Sequence, residues 1–213
     1  MAVAIRPRLL DLFCGAGGAS MGYQRAGFYV VGVDIKPQPH YCGDEFYQAD
    51  ALEFPLDGYD AYHASPPCQA YTRLTEKKYR HNHPDLIAYV RLRLALHKPF
   101  VIENVPDAKD RLWHPIMLCG TMFGLRVYRH RYFEICPEIF NLLTPCCHHK
   151  NPILVSGTTR RKAGRVENSI KEKREAMGID WMTGKELDQA IPPAYTEYIG
   201  KYLMKAVLND NSN

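Results

Sequence analysis

Two side chains of this sequence could act together on an electron-poor ring. Cys68 stands in SPPCQ, residues 65 to 69, directly after a short apolar run, and Glu103 lies near the end of another, FVIENV. A thiolate is a strong nucleophile available near neutral pH, and Pro66 and Pro67 stiffen its approach. A neighbouring carboxyl group can hold a proton if a closed, dry pocket raises its pKa. Such a pair suits a pyrimidine. Carbon 5 of cytosine is a poor nucleophile, but thiolate addition at carbon 6 makes it enamine-like, provided an acid protonates or hydrogen-bonds the ring nitrogen N3. Alone, each residue is a weak signal, since buried cysteines are commonly inert and most glutamates end in salt bridges or helix caps.

A second constellation lies nearer the N-terminus. The run LLDLF leads into CGAGGASMGY, so Gly15, Gly17 and Gly18 form a turn between a buried strand and the start of a helix, where free backbone N–H groups gather. The spacing G-x-G-G differs from the dinucleotide fingerprint, which favours a nucleoside over a pyrophosphate. Asp34 ends the next run, VVGVD, 19 residues after Gly15, where a carboxylate can accept from both ribose hydroxyls. Asp50 follows in QADAL. Together they outline an adenosine pocket; the plainer alternative is a tight turn and two helix-capping aspartates.

The elements that must position these groups alternate, short Val-, Phe-, Tyr- and Ile-rich runs with longer mixed stretches, as in a parallel α/β sheet. Expected strands are Leu9 to Phe13, Tyr29 to Val33, Tyr59 to Ala64 and Phe100 to Glu103, with a hairpin at Leu125 to Tyr128 and Arg131 to Ile135. A crossover helix is expected over Asp85 to His97, its apolar face made by Leu86, Tyr89, Val90, Leu92, Leu94 and Leu96. From Cys136 to about Gly178 the texture changes to prolines and then a basic stretch, which reads as an insertion. The segment Tyr195 to Leu208 returns to helical periodicity and should pack back on the sheet. Cys68, Glu103 and Asn104 then lie at the carboxyl ends of strands, the edge where open α/β sheets bind ligands.

Taken in order, these motifs resemble the DNA (cytosine-5) methyltransferase family: DLFCGAGG at 11 to 18, VGVD at 31 to 34, SPPCQ at 65 to 69, ENV at 103 to 105, RHRYF at 129 to 133 and AIPPAYTEYIGKYL at 190 to 203. The resemblance covers most of the chain. It implies a Rossmann-like S-adenosylmethionine-dependent methyltransferase fold of the α/β class, with a mostly parallel central sheet and a reduced target-recognition insertion. The expected layout is a catalytic and cofactor-binding core over 1–135, the insertion over 136–178 and a C-terminal segment over 179–213. It further implies that Phe13, Gly15, Gly17 and Pro67 line the S-adenosylmethionine site, with Asp34 on the ribose and Asp50 near the adenine. Cys68 corresponds to the catalytic thiol, Glu103 to the N3 partner, and Arg131 to the arginine on the flipped cytosine's carbonyl. Arg129 is its neighbour at the active site and the phosphates, and Gln69 joins the nucleic-acid contacts.

The chain departs from the family pattern at three places. Val127 stands where a glutamine usually precedes the arginine pair. Near the C-terminus, Asp188, Gln189 and Ala190 replace the usual Gly-Asn-small residue before Ile191, Pro192 and Pro193; Gln189 could still donate to the cofactor. The insertion is short, so recognition is expected to rest on few bases or on the nucleic-acid backbone. There Arg160, Arg161, Lys162 and Arg165 can neutralise phosphates, with Gly157 and Gly164 letting the loop follow a groove. Cys136, Cys146, Cys147, His148 and His149 lack paired C-x2-C spacing, and no metal is expected.

Composition sets wider bounds. Twenty-seven Lys and Arg against 23 Asp and Glu leave a net charge of +4, a mild excess that suits a polyanion. Seven cysteines without the spacing of a small secreted domain fit a reducing compartment. No apolar run is long enough for a bilayer span and no secretory leader is evident, so a cytoplasmic monomer in a bacterial or phage-infected cell is expected. Double-stranded DNA is the expected partner. The competing readings are RNA cytosine-5 methylation and a non-catalytic nucleic-acid-binding module.

Overall fold

The computed structural model describes residues 6–72, 75–139, 142–148, 152–155 and 168–210. Among them a seven-stranded sheet runs in the order β3-β2-β1-β4-β5-β7-β6. Its strands are β1 (Arg8–Leu12), β2 (Tyr29–Asp34), β3 (Glu45–Gln48), β4 (Ala61–Ala64), β5 (Phe100–Asn104), β6 (Ile116–Leu118) and β7 (Arg131–Cys136). The first five pair in parallel, and β7 is antiparallel to both β5 and β6. The expected α/β architecture with a mostly parallel sheet is therefore what forms.

Alternation along the strands feeds two apolar layers. Leu10, Leu12, Val31, Val33, Tyr62 and Ala64 point to one face, which α2 (Ile87–Leu94) covers with Ile87, Val90 and Leu94. Leu9, Val30, Ala61 and Val101 point to the other, covered by α1 (Gly18–Arg25) and by α5 (Pro193–Asp210), which lays down Tyr195, Ile199, Leu203 and Val207. Helices α1 and α5 approach closely because small residues line the crossing: a Cβ on Gly22 would stand 2.0 Å from Thr196 Oγ1. Two short helices, α3 (Ile170–Met177) and α4 (Gly184–Gln189), each begin with a capping box, Ser169 with Glu172 and Thr183 with Glu186. They join Val127, Ile153 and Val155 in a third apolar cluster together with Ala16 of the first strand–helix turn.

Two expectations are corrected, and one strand is added. The hairpin partner of β7 is β6, not Leu125 to Tyr128, which is irregular because it passes over Gly120. A Cβ there would lie 2.2 Å from the Val127 carbonyl, and the Gly120 N–H donates to Tyr128 at 2.9 Å. Helix α2 turns Tyr89 and Leu92 outward and ends before the exposed Leu96; it buries Arg91 instead, whose guanidinium holds Glu134 of β7 at 2.6 Å. Strand β3 was not anticipated. No helix among the described residues is long and apolar enough to cross a membrane.

Candidate active site

The glycine turn after β1 adopts the geometry its composition permits. Gly15 and Gly17 have φ of 51° and 85°, and even Phe13 takes φ 61°, a region costly for residues other than glycine. A Cβ on Gly15 would meet nothing within 4 Å, whereas one on Gly17 would strike Cys42 Sγ at 2.8 Å. The turn is thus packed behind Gly17 and open beside Gly15. Asp34, at the end of β2, accepts from the Gly15 N–H at 3.0 Å and the Lys36 N–H at 2.9 Å, one on each carboxylate oxygen. Each oxygen retains acceptor capacity for a hydroxyl. These features fit an S-adenosyl group: open space against a bare backbone, and a half-buried carboxylate at the next strand end. Asp50 accepts from the Leu52 N–H at 2.8 Å and is exposed, so it caps its own turn. Trp181, which sequence reasoning passed over, donates from its indole to the Ala16 carbonyl at 2.9 Å and ties the C-terminal region to the glycine turn.

The thiol follows, and the carboxyl ends, two adjacent parallel strands, β4 and β5. Cys68 opens a turn after β4, its carbonyl accepting from the N–H groups of Tyr71 and Thr72 at 3.0 Å each. The preceding Pro66 is buried and anchored: its carbonyl accepts from Asn104 Nδ2, at the end of β5, at 2.9 Å. Pro67 and Gln69 on either side of the half-buried Cys68 are exposed. Glu103 is buried, and its Oε1 faces Arg131 Nε at 2.9 Å as an ion pair. Burial pushes the Glu103 carboxyl up; Arg131, a hydrogen bond from Ser65 and Arg129 offset part of that. Burial likewise pushes the Cys68 thiol up, reinforced by the negative charge of Glu103 and countered by Arg131 and Arg129. Four sequence-selected residues therefore share one electrostatic environment.

Behind Glu103 lies a chain of hydrogen bonds that the motifs did not announce. Tyr23 Oη is 2.8 Å from His63 Nδ1, and His63 Nε2 is 2.9 Å from Ser65 Oγ, which reaches Glu103. Burial drives the His63 pKa down to about 3, so the imidazole is neutral. Tyr23, His63 and Ser65 are each satisfied when Tyr23 donates to Nδ1, Nε2 donates to Ser65 and Ser65 donates to the carboxylate.

Arg129 has φ 36° and directs its guanidinium to the carbonyls of Ala190 at 2.8 Å and Asp188 at 2.7 Å. Tyr195 Oη donates to the Arg129 carbonyl at 3.0 Å. The arginine motif and the segment before Pro192 are thus locked together. Val127, in the family's glutamine position, is buried in the third cluster and serves packing. Gln189 is the exposed last residue of α4. Arg160, Arg161, Lys162 and Arg165, together with Gly157, Gly164 and His149, lie outside the described residues.

No family model matches the chain. A type II methyltransferase of Haemophilus parahaemolyticus, M1.HphI, is 28% identical over 120 residues, 45% of this chain, and the matched part spans only 32% of that protein. Solved structures extend the comparison over nearly the whole chain. A protein described as a DNA modification methyltransferase encoded within an E. coli prophage superposes with a TM-score of 0.64 at 16% identity, covering 95% of this chain and 99% of its own. The S. pombe Dnmt2 methyltransferase gives 0.63 at 14% identity, and the Entamoeba histolytica methyltransferase EhMeth 0.61 at 15%, each with the same coverage of both chains. The fold of this chain is that of the S-adenosylmethionine-dependent methyltransferases.

Proposed function

We propose that the protein transfers a methyl group from S-adenosylmethionine to carbon 5 of cytosine in DNA, through a covalent Cys68 adduct at carbon 6. The observation that carries this reading is the buried Glu103 carboxyl, paired with Arg131 and sharing its surroundings with the Cys68 thiol. The nature of the relatives supports DNA as the polymer, since two of them are a type II and a DNA modification methyltransferase.

S-adenosylmethionine supplies an electrophilic methyl group on its sulfonium. Gly15 and Asp34 would hold the donor, with Phe13, Gly17 and Pro67 around it and Asp50 and Gln189 at its margins. The target cytosine leaves the duplex at a cost of a few kcal/mol, offset by stacking and edge contacts in the pocket. Glu103, protonated, gives its proton to N3 while Cys68 thiolate adds to carbon 6, and Arg131 holds the ring carbonyl. The enamine carbon 5 would accept the methyl group as its bond to the donor sulfur breaks, leaving the donor as a neutral thioether. Loss of the carbon 5 proton to a base then expels Cys68, and N3 returns its proton. Arg129 keeps the C-terminal segment against this site. The short insertion over 136–178 would meet duplex DNA, and one chain suffices for the reaction.

Duplex DNA containing 5-fluorocytosine, incubated with the protein and S-adenosylmethionine, tests the reading. A covalent complex that survives denaturation and is lost in Cys68→Ala is the expected result, because fluorine blocks the elimination. The same substitution in transfer RNA provides the comparison: trapping there and not on DNA would move the activity to RNA, and trapping on neither would leave a binding module.

A further inference from the structure

Away from the thiol and carboxyl, four metal-binding side chains from three segments converge. Cys119 follows β6, His130 sits between the two arginines of the motif, and Cys146 and His148 come from the start of the insertion. Their ligand atoms all lie within 4.8 Å of one another. The two imidazoles point Nε2 to Nε2 at 3.1 Å, and Cys146 Sγ lies 3.9 Å from His130 Nε2 and 3.7 Å from His148 Nε2. Metal–nitrogen bonds of about 2.05 Å and metal–sulfur bonds of about 2.3 Å in a regular tetrahedron give edges of roughly 3.3 Å between nitrogens and 3.6 Å between nitrogen and sulfur. The three edges among His130, Cys146 and His148 fall within about 0.3 Å of these figures, and Cys119 Sγ completes the set inside the 4.8 Å span.

We infer that Cys119, His130, Cys146 and His148 form a structural zinc site. The donor set is Cys2His2, which selects zinc among common divalent ions. With four protein ligands the site is closed and leaves no position for a reacting water. Binding releases one proton from each thiol, and the two thiolates balance the charge of the ion. Around it, Tyr128 stacks on His148 with ring centroids 4.2 Å apart, and Cys119 Sγ lies 3.2 Å from Thr121 Oγ1, contacts of the kind that fix ligand orientation. The ion would join the turn after β6, the backbone arch that presents Arg129 and Arg131, and the first part of the insertion. Its role is to hold the arginine pair and the insertion in one frame. The spacing in the sequence concealed it because Cys119 and His130 stand apart from the Cys-Cys-His-His run, while Cys136 and Cys147 do not belong to the cluster.

The test is metal analysis of the untagged full chain, purified with reductant and dialysed against metal-free buffer. One zinc per chain is expected by mass spectrometry. Cobalt(II) added to the zinc-stripped chain should give the visible bands of a tetrahedral site together with thiolate charge transfer. His148→Ala, at an exposed position, and Cys146→Ser should lose stoichiometric zinc, with circular dichroism reporting that each remains folded, while Cys136→Ser and Cys147→Ser keep it. Absence of zinc with no cobalt spectrum overturns the site, as does iron in its place. Equal loss in the two control variants, or retention in folded His148→Ala, overturns it as well.

Discussion

Asp11 and His63 are register partners on the adjacent parallel strands β1 and β4, and both are fully buried beneath α1. Ser20 of α1 donates to Asp11 Oδ2 at 2.5 Å, and Tyr23 of the same helix meets His63. Burial raises the Asp11 pKa to about 7 and lowers that of His63 to about 3. The two therefore act on stability in opposite directions over nearly the same pH range. The Asp11 contribution is present below pH 4 and lost as pH rises through 7; the His63 contribution is present above pH 6.5 and lost as pH falls through 3. Each is on the order of 4 kcal/mol at full separation. Asp11→Asn should gain thermal stability relative to the parent as pH is raised from 4 to 7, and His63→Gln should lose ground over the same interval. Melting curves at several pH values check both; parallel curves for parent and variants would remove the pair from the stability balance.

In the proposed reaction Glu103 must be protonated while Cys68 is ionised, and burial raises both groups. The dependence of kcat/KM on pH is then bell-shaped, rising as the thiol ionises and falling as the carboxyl loses its proton, with limbs that belong to the pair. Glu103→Gln keeps a neutral donor toward N3 but has no proton to titrate. Its profile should rise to a plateau with no falling limb, and its kcat should drop roughly 10²- to 10⁴-fold. A bell of unchanged shape in this variant would mean that another group supplies the acid.

Much of this arrangement could be read before the structure, for identifiable reasons. Strands β1, β2, β4 and β5 lie inside the sheet and read as apolar runs, whereas β3, Glu45–Gln48, is only partly covered and carries no such run. The position of Cys68 and Glu103 at strand ends followed from the parallel topology. The bonds of Tyr23 to His63 and of Arg91 to Glu134 cross 40 and 43 residues, and no local pattern encodes them. Arg91 also explains the misassigned face of α2: a helix side that holds a buried ion pair cannot be recognised by hydrophobic periodicity.

The Arg91–Glu134 pair is buried and well satisfied. Arg91 donates to both carboxylate oxygens at 2.7 and 2.6 Å and to the Arg111 carbonyl at 2.6 Å, its guanidinium stacks over Trp113, and the Trp113 N–H donates to Glu134 at 2.8 Å. Removing one partner strands the other charge. Glu134→Ala should cost roughly 3–5 kcal/mol in denaturant unfolding, and the double replacement Arg91→Met with Glu134→Leu should recover most of it. A single-variant cost below about 1 kcal/mol would place the pair in the class of exposed, screened ion pairs.

Arg160, Arg161, Lys162 and Arg165 carry the proposal that the insertion meets the DNA backbone. Each cation on a phosphate displaces condensed counterions, so log K for duplex DNA should fall with log salt, and each lost contact should lower that slope by about 0.9. Replacing Arg160, Arg161 and Lys162 together with glutamine should reduce the slope by about 2 to 3 if all three engage phosphates, and weaken binding to unrelated sequences alike. S-adenosylmethionine binding, which the proposed function assigns to Gly15 and Asp34, should stay within about twofold by calorimetry, a change of no more than about 0.4 kcal/mol. An unchanged salt slope in the triple variant would show that these cations face solvent in the complex, and the burden of backbone contact would pass to other basic groups.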